Sequence, residues 1–387
     1  MKTVKLKKKE DRRILRGHPW VFSNELERVP DDAAPGELVD VLDSTGRFVA
    51  RGYLNPHSLI AVRILTRKQE PVDRDFFRSR IETARNLRVQ LGFCDSFRAV
   101  FSEGDGLPGL IVDKYADTLA VQSSTAGMER QLDTVLDALT EVYAPAAIVL
   151  RNDTASRELE GLLQEKKVVR GSLAGPVLIE ESGLKYEIDV LEGQKTGFFF
   201  DQRENRQALR NLAPGRRTLD CFCYVGAWSL NAAQFGATEV IGIDSSAKAT
   251  DLAARNASLN GLAVTFRTAD VFEELRSLEK ERERFGLMIL DPPAFVKSRA
   301  KVREGLRGYK EINLRGMRLL EPGGFLVTCS CSHHIDQDLF TEMLIDAAHS
   351  AGRQARLLEM RSQARDHPML LAARETQYLK CAILVID

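Results

Sequence analysis

The chain has 387 residues, of which 44% are hydrophobic and 28% are charged, and its 55 basic residues balance 55 acidic ones. This is the composition of a globular protein, and its zero net charge provides no overall attraction to a polyanion. The length exceeds what one hydrophobic core usually organises, so we expect two or three domains. Six cysteines are too few for a disulfide framework in a chain this long, which indicates a reducing cytoplasm.

Nothing in the sequence indicates export or membrane insertion. The first 20 residues, MKTVKLKKKEDRRILRGHPW, are basic but lack the apolar run of a signal peptide. Apolar stretches elsewhere are too short to span a bilayer. We therefore expect a cytoplasmic protein without a membrane partner.

Two segments with different patterns precede the longest part of the chain. Residues 1–70 alternate as short strands separated by glycine and proline turns, which predicts a small β-rich domain. Residues 71–185 combine helical spacing in DRDFFRSRIETARNLRVQL with strands around a Gly-Asp-Gly turn, which predicts a small central domain of mixed α/β type.

In residues 186–387, apolar runs alternate regularly with helical stretches. This alternation predicts an α/β domain with a mostly parallel sheet, and such sheets bind ligands at the carboxyl ends of their strands. The last two apolar segments are too close in sequence for a crossover helix, so we expect an antiparallel closing strand. The predicted strands, in chain order, are TLDCFCYVG, EVIGID, VTFRTAD, LMILDPP, GGFLVTCSCS, RLLEMRSQ and QYLKCAILVID.

Acidic residues lie in or directly after the first three predicted strands. Asp220 precedes Gly226, where the backbone can turn tightly against a ligand. A carboxylate at the position of Asp244 can accept hydrogen bonds from both hydroxyls of a ribose, and Asp270 can reach the amino group of an adenine. Helix N-caps are the alternative explanation for Asp244 and Asp270. Because a second glycine and a phosphate-binding lysine are missing, the three acids favour an adenosine site without pyrophosphate.

The fourth predicted strand ends in DPPAF, Asp291 to Phe295. Two consecutive prolines fix the backbone and remove two donors, so the carboxylate of Asp291 is held rigidly at the edge of the sheet. A turn that merely ends the strand is the alternative.

The fifth predicted strand ends in two cysteines, Cys329 and Cys331, which point to the same face if the strand continues that far. A thiol attacks only as thiolate and therefore needs a polar setting at a cleft, which Cys331, flanked by serines, fits better. A zinc site shared with Cys221 and Cys223 is the alternative, but the C-x-C spacing is unfavourable for it. We expect no metal.

Basic residues concentrate in two places, from Lys2 to Arg16 and from Lys297 to Lys310. A charge run by itself is usually a solvated face. The second cluster directly follows DPPAF, so contact with a polyanion is the competing interpretation.

The motifs of residues 186–387 resemble, in order and spacing, those of class I S-adenosylmethionine-dependent methyltransferases, which have a Rossmann-like sheet. Further stretches resemble the bacterial family that forms 5-methylcytosine in large-subunit (23S) ribosomal RNA, which adds an N-terminal PUA domain and a small central α/β domain. Those stretches are RGHPWVFSNE (Arg16 to Glu25), EGDGLPGLIVDKY, EGQKTGFFFDQR (Glu192 to Arg203), RGYKEIN (Arg307 to Asn313), SCS (Ser330 to Ser332) and DHP (Asp366 to Pro368).

The resemblance implies a PUA-like RNA-binding domain over 1–70, a central domain over 71–185 and a methyltransferase domain over 186–387. It implies Cys331 as the nucleophile and Asp291 as the group that binds the pyrimidine. For S-adenosylmethionine it implies Gln202, Arg203, Asp220, Phe222, Tyr224, Gly226, Asp244, Asp270, Val271, Asp291 and Pro292. For RNA it implies Arg16, Trp20, Lys297, Arg299, Arg307 and Lys310.

In this family a cysteine thiolate adds to carbon 6 of cytosine, which makes carbon 5 able to accept a methyl group. The base that later removes the carbon-5 proton stays unassigned, since His333 and His334 read as surface imidazoles. Two other functions remain open: methylation of an exocyclic amine of guanine (N2) or adenine (N6), although Phe295 lies one place late for it, and non-catalytic ribosome assembly. The partner implied is 23S ribosomal RNA, free or partly assembled, and a homodimer is compatible with the sequence.

Overall fold

The structure is a computed structural model, and it describes residues 1–296 and 298–387. Its contacts divide the chain into two compact units. Unit 1 comprises Met1–Ile179, Ile188–Phe200 and Arg365–Thr376, and unit 2 comprises Glu180–Glu187, Asp201–Ala364 and Gln377–Asp387. Within the described ranges, no helix is both long enough and apolar enough to cross a membrane.

Unit 1 begins with a β-rich part, as the alternation of short apolar runs predicted. Its sheet has the order β1-β3-β4-β5-β2, with β1 parallel to β3 and the other neighbours antiparallel. Its core is aliphatic, with Val21, Val39, Leu54 and Val62 fully buried. The elements are β1 (Lys2–Lys5), α1 (Asp11–Leu15), β2 (Trp20–Phe22), β3 (Glu37–Leu42), β4 (Phe48–Leu54) and β5 (Ile60–Thr66).

A second sheet, of order β10-β9-β8-β7-β6, follows in unit 1. The long helix α2 begins at Asp73, whose side chain accepts a hydrogen bond from the backbone of Phe76, and it buries Phe77 and Ile81 against this sheet. The elements are α2 (Arg74–Gln90), β6 (Phe97–Phe101), β7 (Leu110–Tyr115), β8 (Thr118–Ser123), α3 (Ala126–Arg130), α4 (Leu132–Tyr143), β9 (Ala147–Asn152) and β10 (Glu165–Gly171).

The DHP segment belongs to unit 1 and is fixed there by an arginine. The guanidinium of Arg88 is fully buried and donates to both carboxylate oxygens of Asp105, at 2.5 and 2.7 Å, and to the main-chain oxygen of Asp366 at 2.6 Å. The carboxylate of Asp366 in turn accepts from the backbone N–H of Arg98. These bonds give DHP a structural role, since they satisfy polar groups that have no access to water.

Unit 2 contains the alternating strands and helices. Its sheet has the order β15-β14-β13-β16-β17-β19-β18; β13 to β17 are parallel, and β19 runs antiparallel to both β17 and β18. The expected antiparallel closing strand is therefore confirmed. The elements are α5 (Arg203–Gln207), β13 (Arg217–Cys221), α6 (Ala227–Gln234), β14 (Glu239–Asp244), α7 (Ala247–Leu259), β15 (Thr265–Thr268), α8 (Val271–Lys280), β16 (Phe285–Leu290), α9 (Val302–Leu319), β17 (Leu320–Ser330), α10 (Gln337–Ala351), β18 (Ala355–Arg361) and β19 (Lys380–Ile386). A hairpin of β11 (Val177–Glu181) and β12 (Leu184–Ile188) precedes them.

Hydrophobic clusters cover both faces of this sheet, which explains why the central strand β16 is apolar throughout. Every residue of β16 is buried, and the polar sequence begins directly after it at Asp291. Because β13, β16 and β17 are neighbours and parallel, the residues that follow their carboxyl ends lie close together. The edge of the sheet formed by these carboxyl ends, and not an outer strand, is where they meet.

Candidate functional site

Cys331 lies at this edge, one residue beyond the end of β17. It is half-buried, and its Sγ is 4.0 Å from the main-chain oxygen of Pro292, which follows β16. Cys329, two residues earlier, is fully buried opposite Cys381 on β19, and burial raises its pKa well above the ordinary value. Cys331 is thus the cysteine of the pair that a ligand at the edge can reach.

The zinc alternative also involved Cys221 and Cys223. Cys221 and Cys223 are buried, and burial raises the pKa of both thiols well above the ordinary value. In the described part of the chain, no group of three or more His, Cys, Asp or Glu side chains is arranged to hold a metal ion.

Asp291 is held in place by two neutral donors. Its Oδ1 accepts from Nε2 of Gln202 at 3.0 Å, and its Oδ2 accepts from the indole N–H of Trp228 at 2.9 Å. Gln202 is itself oriented, because its Oε1 accepts from the amide of Asn205 at 2.7 Å, and Asn205 accepts from Arg361. These donors fix the carboxylate in one orientation.

Gln202 was expected among the cofactor residues, and its contact with Asp291 was not foreseen. Trp228 was not singled out at all. Each bond joins residues more than sixty positions apart, 89 for Gln202 and 63 for Trp228, so local sequence pattern carries no signal for it.

A tyrosine of α9 contacts the residue that follows Cys331. The hydroxyl of Tyr309 lies 3.0 Å from Oγ of Ser332, and this Oγ accepts from the backbone N–H of Val296 at 3.2 Å. The residues after DPP and those after the cysteine are thereby tied to each other. This connection links the two segments that carry Asp291 and Cys331.

The turn between β13 and α6 has an unusual backbone. Phe222 and Tyr224 have φ values of 66° and 49°, in the left-handed region that non-glycine residues rarely adopt, and Gly226 has φ 82°. The backbone N–H of Tyr224 donates to Oδ2 of Asp244 at 3.0 Å, which holds this turn against the end of β14. Strained turns of this kind concentrate at binding sites, because surrounding structure must maintain them.

The three acids occupy different environments. Asp220 is fully buried, with Oδ2 accepting from the hydroxyl of Ser229 at 2.6 Å, and burial raises its pKa to about 7. Its Oδ1 is a buried acceptor without a hydrogen-bond partner among the described residues. Asp244 accepts from two backbone N–H groups, those of Tyr224 and Ser246. It is not the N-cap of α7, because Ser246 takes that position.

Asp270 is the N-cap of α8, since its Oδ1 accepts from the backbone of Glu273 at 3.0 Å. The capping alternative is therefore observed for this residue. Asp270 is exposed, so its second oxygen stays accessible to a ligand. Val271, the next residue, is buried.

A cluster of aromatic rings lies at the same edge, with Tyr309 buried and the others half-buried. Phe295 has ring centroids of Phe222, Phe272 and Tyr309 at 6.3, 6.0 and 4.7 Å. Phe222 was expected in the cofactor site, whereas Phe272 was not singled out. Phe272 lies in the first turn of α8, directly after Asp270 and Val271 at the carboxyl end of a strand. This position in the sequence was the signal that could have identified it.

The remaining predicted residues are placed as follows. Arg203 pairs with Glu181 at 3.0 Å, and Pro292 is buried. Arg299, Arg307 and Arg16 are exposed. Nζ of Lys310 lies 3.7 Å from Oδ2 of Asp346. Trp20 is half-buried, and its indole N–H donates to Oε1 of Glu103 at 2.8 Å. Lys297 lies outside the described residues, and His333 and His334 are exposed.

Comparison with known proteins agrees with this geometry. A PUA-like domain family matches residues 4–67, and an S-adenosylmethionine-dependent methyltransferase family matches residues 168–368. The chain is 42% identical to the ribosomal RNA large subunit methyltransferase I of Aeromonas salmonicida over 385 residues, which covers 97% of each chain. The protein of the same name from Erwinia tasmaniensis is also 42% identical, again with 97% of each chain covered.

Among solved structures, a candidate SAM-dependent methyltransferase from Streptococcus mutans superposes with a TM-score of 0.85 over the whole of both chains, at 19% identity. This likeness confirms the predicted fold class. The chain belongs to the S-adenosylmethionine-dependent methyltransferases and, within them, to the family of the ribosomal RNA large subunit methyltransferases I.

Proposed function

We propose that the chain transfers a methyl group to carbon 5 of a cytosine in large-subunit (23S) ribosomal RNA, with Cys331 as the attacking nucleophile. The observation that carries this proposal is the position of Cys331: a half-buried thiol at the sheet edge, 4.0 Å from the residue that follows Asp291. Exocyclic amines attack a methyl donor directly and need no cysteine, so an accessible thiol beside the carboxylate favours the carbon-5 reaction.

In the proposed reaction the thiolate of Cys331 adds to carbon 6 of the cytosine, and carbon 5 gains enamine character. Asp291 accepts a hydrogen bond from the amino group or from a protonated N3, which favours the electron-rich adduct. The two donors that hold Asp291, Gln202 and Trp228, keep this carboxylate in the orientation that the ring requires. After methylation a base takes the carbon-5 proton, and the electron pair left behind re-forms the double bond between carbons 5 and 6 as the Sγ–carbon 6 bond breaks and the RNA is released.

The residues at the edge fit S-adenosylmethionine. When bound, this cofactor supplies an electrophilic methyl group. Asp244 lies at the end of β14 where ribose hydroxyls can be accepted, and the positive-φ turn of Phe222, Tyr224 and Gly226 is shaped for close approach of a ligand. Asp220 contributes a buried oxygen that lacks a partner among the described residues. Asp270 and the rings beside it complete the adenosine end of the proposed site.

For RNA, unit 1 offers a pair of arginines that the sequence did not reveal. The guanidinium of Arg67 donates to the main-chain oxygen of His18, and that of Arg80 donates to the main-chain oxygen of Leu65. Burial and then the like charge of Arg80 lower the pKa of Arg67. Neither arginine forms an ion pair with a carboxylate in the part of the chain that the structure describes. Two adjacent uncompensated guanidiniums suit a backbone phosphate.

The target cytosine must leave any base stack to reach Cys331, so we propose free or partly assembled ribosomal RNA in the cytoplasm as the substrate. A homodimer stays a prediction, which sedimentation of the purified chain tests.

The test is transfer of tritiated methyl from S-adenosylmethionine to ribosomal RNA, followed by digestion and mass spectrometry of the labelled nucleoside. The proposal expects 5-methylcytidine. N2-methylguanosine or N6-methyladenosine would support exocyclic-amine methylation instead. Binding of RNA without any transfer would indicate the assembly role and would equally contradict the proposal.

A further inference from the structure

Lys380, the first residue of β19, is a buried cation next to the nucleophile's segment. It pairs in register with Ser330 on β17 and is 5% exposed. Its Nζ donates to the main-chain oxygens of Ser332 and Tyr378, both at 2.8 Å. An ammonium has three donors, so these two carbonyls leave one donor for another acceptor.

The charges around this ammonium are few. Among the described residues no carboxylate forms an ion pair with Lys380, and burial lowers its pKa to about 8. The negative charges of Cys331, at the end of β17, and of Asp336, before α10, oppose that shift. Tyr378, whose carbonyl accepts from Lys380, has its ring centroid 5.6 Å from that of His333, with the two rings tilted by 35°, and its hydroxyl donates to Asp201. With a pKa of about 8, Lys380 is still mostly protonated at neutral pH, and no carboxylate among residues 1–296 and 298–387 forms an ion pair with it.

The proposed chemistry at Cys331 is favoured by such a cation. Nucleophilic attack needs the thiolate, and an ordinary cysteine has a pKa of about 8.5. The carboxylate of Asp291, one residue before Pro292, disfavours a second negative charge nearby. The buried positive charge of Lys380, bonded to the main-chain oxygen of the residue after Cys331, offsets this effect, because electrostatic interactions are stronger where water is excluded.

We propose that Lys380 is a positioning residue for Cys331: its ammonium anchors the backbone on the carboxyl side of the cysteine and stabilises the thiolate. The proton that leaves Sγ passes to solvent, and Lys380 stays protonated. This inference rests on the proposed function for its purpose, but the state of the thiol can be measured without RNA or cofactor.

The test is the rate of iodoacetamide alkylation of Cys331 as a function of pH in a Cys94→Ser background. Cys94 is exposed, and the substitution removes it. The four remaining cysteines besides Cys331 are buried, so alkylation reports on Cys331. Peptide mass spectrometry confirms the site. The parent is expected to titrate below the ordinary value of about 8.5. Lys380→Met should raise the midpoint by about one pH unit, which is a loss of about tenfold in rate at pH 7. Lys380→Arg should stay close to the parent.

A matched control is Lys114→Met. Lys114 also donates from Nζ to two main-chain oxygens, those of Asp95 and Ala116, and burial also lowers its pKa, but it belongs to unit 1. This variant should leave the titration of Cys331 unchanged.

The inference is overturned if the parent titrates at or above about 8.5, or if Lys380→Met folds with an unchanged midpoint. Should Lys380→Met fail to fold, Lys380→Gln and the parent titration decide by the same criteria. A low midpoint that depends on Lys380 in a protein that makes no 5-methylcytidine would contradict the proposed function and leave this inference standing. A midpoint that does not depend on Lys380, in a protein that makes 5-methylcytidine, would overturn this inference and leave the proposed function standing.

Discussion

The side chains of Gln202 and Asp291, 89 residues apart in sequence, meet in a hydrogen bond of 3.0 Å from Nε2 to Oδ1. Together with the indole of Trp228, this amide fixes the carboxylate at the edge where Cys331 lies. The carboxylate is thus oriented before any substrate arrives, which is the condition for it to favour one state of the reacting ring.

Replacing Gln202 by Met removes this donor and keeps the side-chain volume. A hydrogen bond to a charged group contributes about 1.5–3 kcal/mol, so we expect kcat to fall by about 10- to 100-fold with little change in KM for S-adenosylmethionine. The matched control is Gln207→Met, whose amide donates to Asn231 instead. Steady-state kinetics of both variants check this. A raised KM for the cofactor with unchanged kcat would assign Gln202 to cofactor binding and contradict the positioning role.

Asp220 predicts a pH dependence of stability. Its pKa is about 7 in the folded chain and 3.8 ordinarily, so the folded state holds the proton more tightly. The stability linked to Asp220 is present in full below pH 3.8 and is lost as the pH rises through about 7. Asp220→Asn mimics the protonated form, keeps an acceptor for Ser229 and does not titrate.

We therefore expect the melting temperature of Asp220→Asn, relative to wild type, to increase between pH 5 and pH 8 by about 2–4 °C. Thermal unfolding at both pH values measures this difference. Asp251→Asn, at an exposed position of α7, is the control and should show the same difference at both pH values. If the difference in melting temperature between Asp220→Asn and wild type is also the same at both pH values, the buried carboxyl does not titrate between them.

Asp270 combines two roles that variants can separate. Asp270→Ala should destabilise the chain by about 1 kcal/mol through loss of the N-cap of α8 and should also weaken binding of S-adenosylmethionine. Asp270→Ser should restore the cap but not the binding. Asp73→Ala, which removes the N-cap of α2, is the control for capping alone. Calorimetric binding and thermal unfolding measure the two effects, and equal cofactor affinity in all three variants would remove Asp270 from the proposed site.

Arg67 and Arg80 should contribute to RNA binding. The double variant with Ala at both positions should bind ribosomal RNA more weakly and lower the slope of log affinity against log salt by about 1.4–1.8, the value for two phosphate contacts. The double variant of Arg74 and Arg78 removes the same charge from α2, but those arginines pair with carboxylates. Filter binding at several salt concentrations compares the two. Identical slopes would contradict the assignment.

The sequence predicted the parts of the site that depend on local order along the chain. The apolar runs located the ends of β14 and β16, and hence Asp244 and Asp291, because strand ends and ligand position are linked in parallel sheets. The short spacing of the last two strands predicted the antiparallel β19. The flanking serines and the family resemblance both favoured Cys331 over Cys329, and the burial of Cys329 agrees with that choice.

Other parts could not be predicted, because they depend on contacts between distant segments. Trp228 reads as one more apolar residue in a helix until its indole is seen to reach Asp291. Lys380 reads as a solvated lysine at the start of a strand, and only the pairing of β19 with β17 buries it beside the cysteine segment. For Asp270 the sequence offered a cap and a ligand contact equally, since the same carboxylate can do both.

The central claim is that Cys331 forms a covalent bond to carbon 6 of cytosine. Ribosomal RNA that contains 5-fluorocytidine tests it most directly, because fluorine on carbon 5 cannot leave as a proton does and the adduct cannot be resolved. In the presence of S-adenosylmethionine we predict a protein–RNA complex that survives denaturing electrophoresis in wild type and Cys329→Ala and is lost in Cys331→Ala. A complex that persists in Cys331→Ala, or its absence in a wild-type protein that makes 5-methylcytidine, would contradict the account.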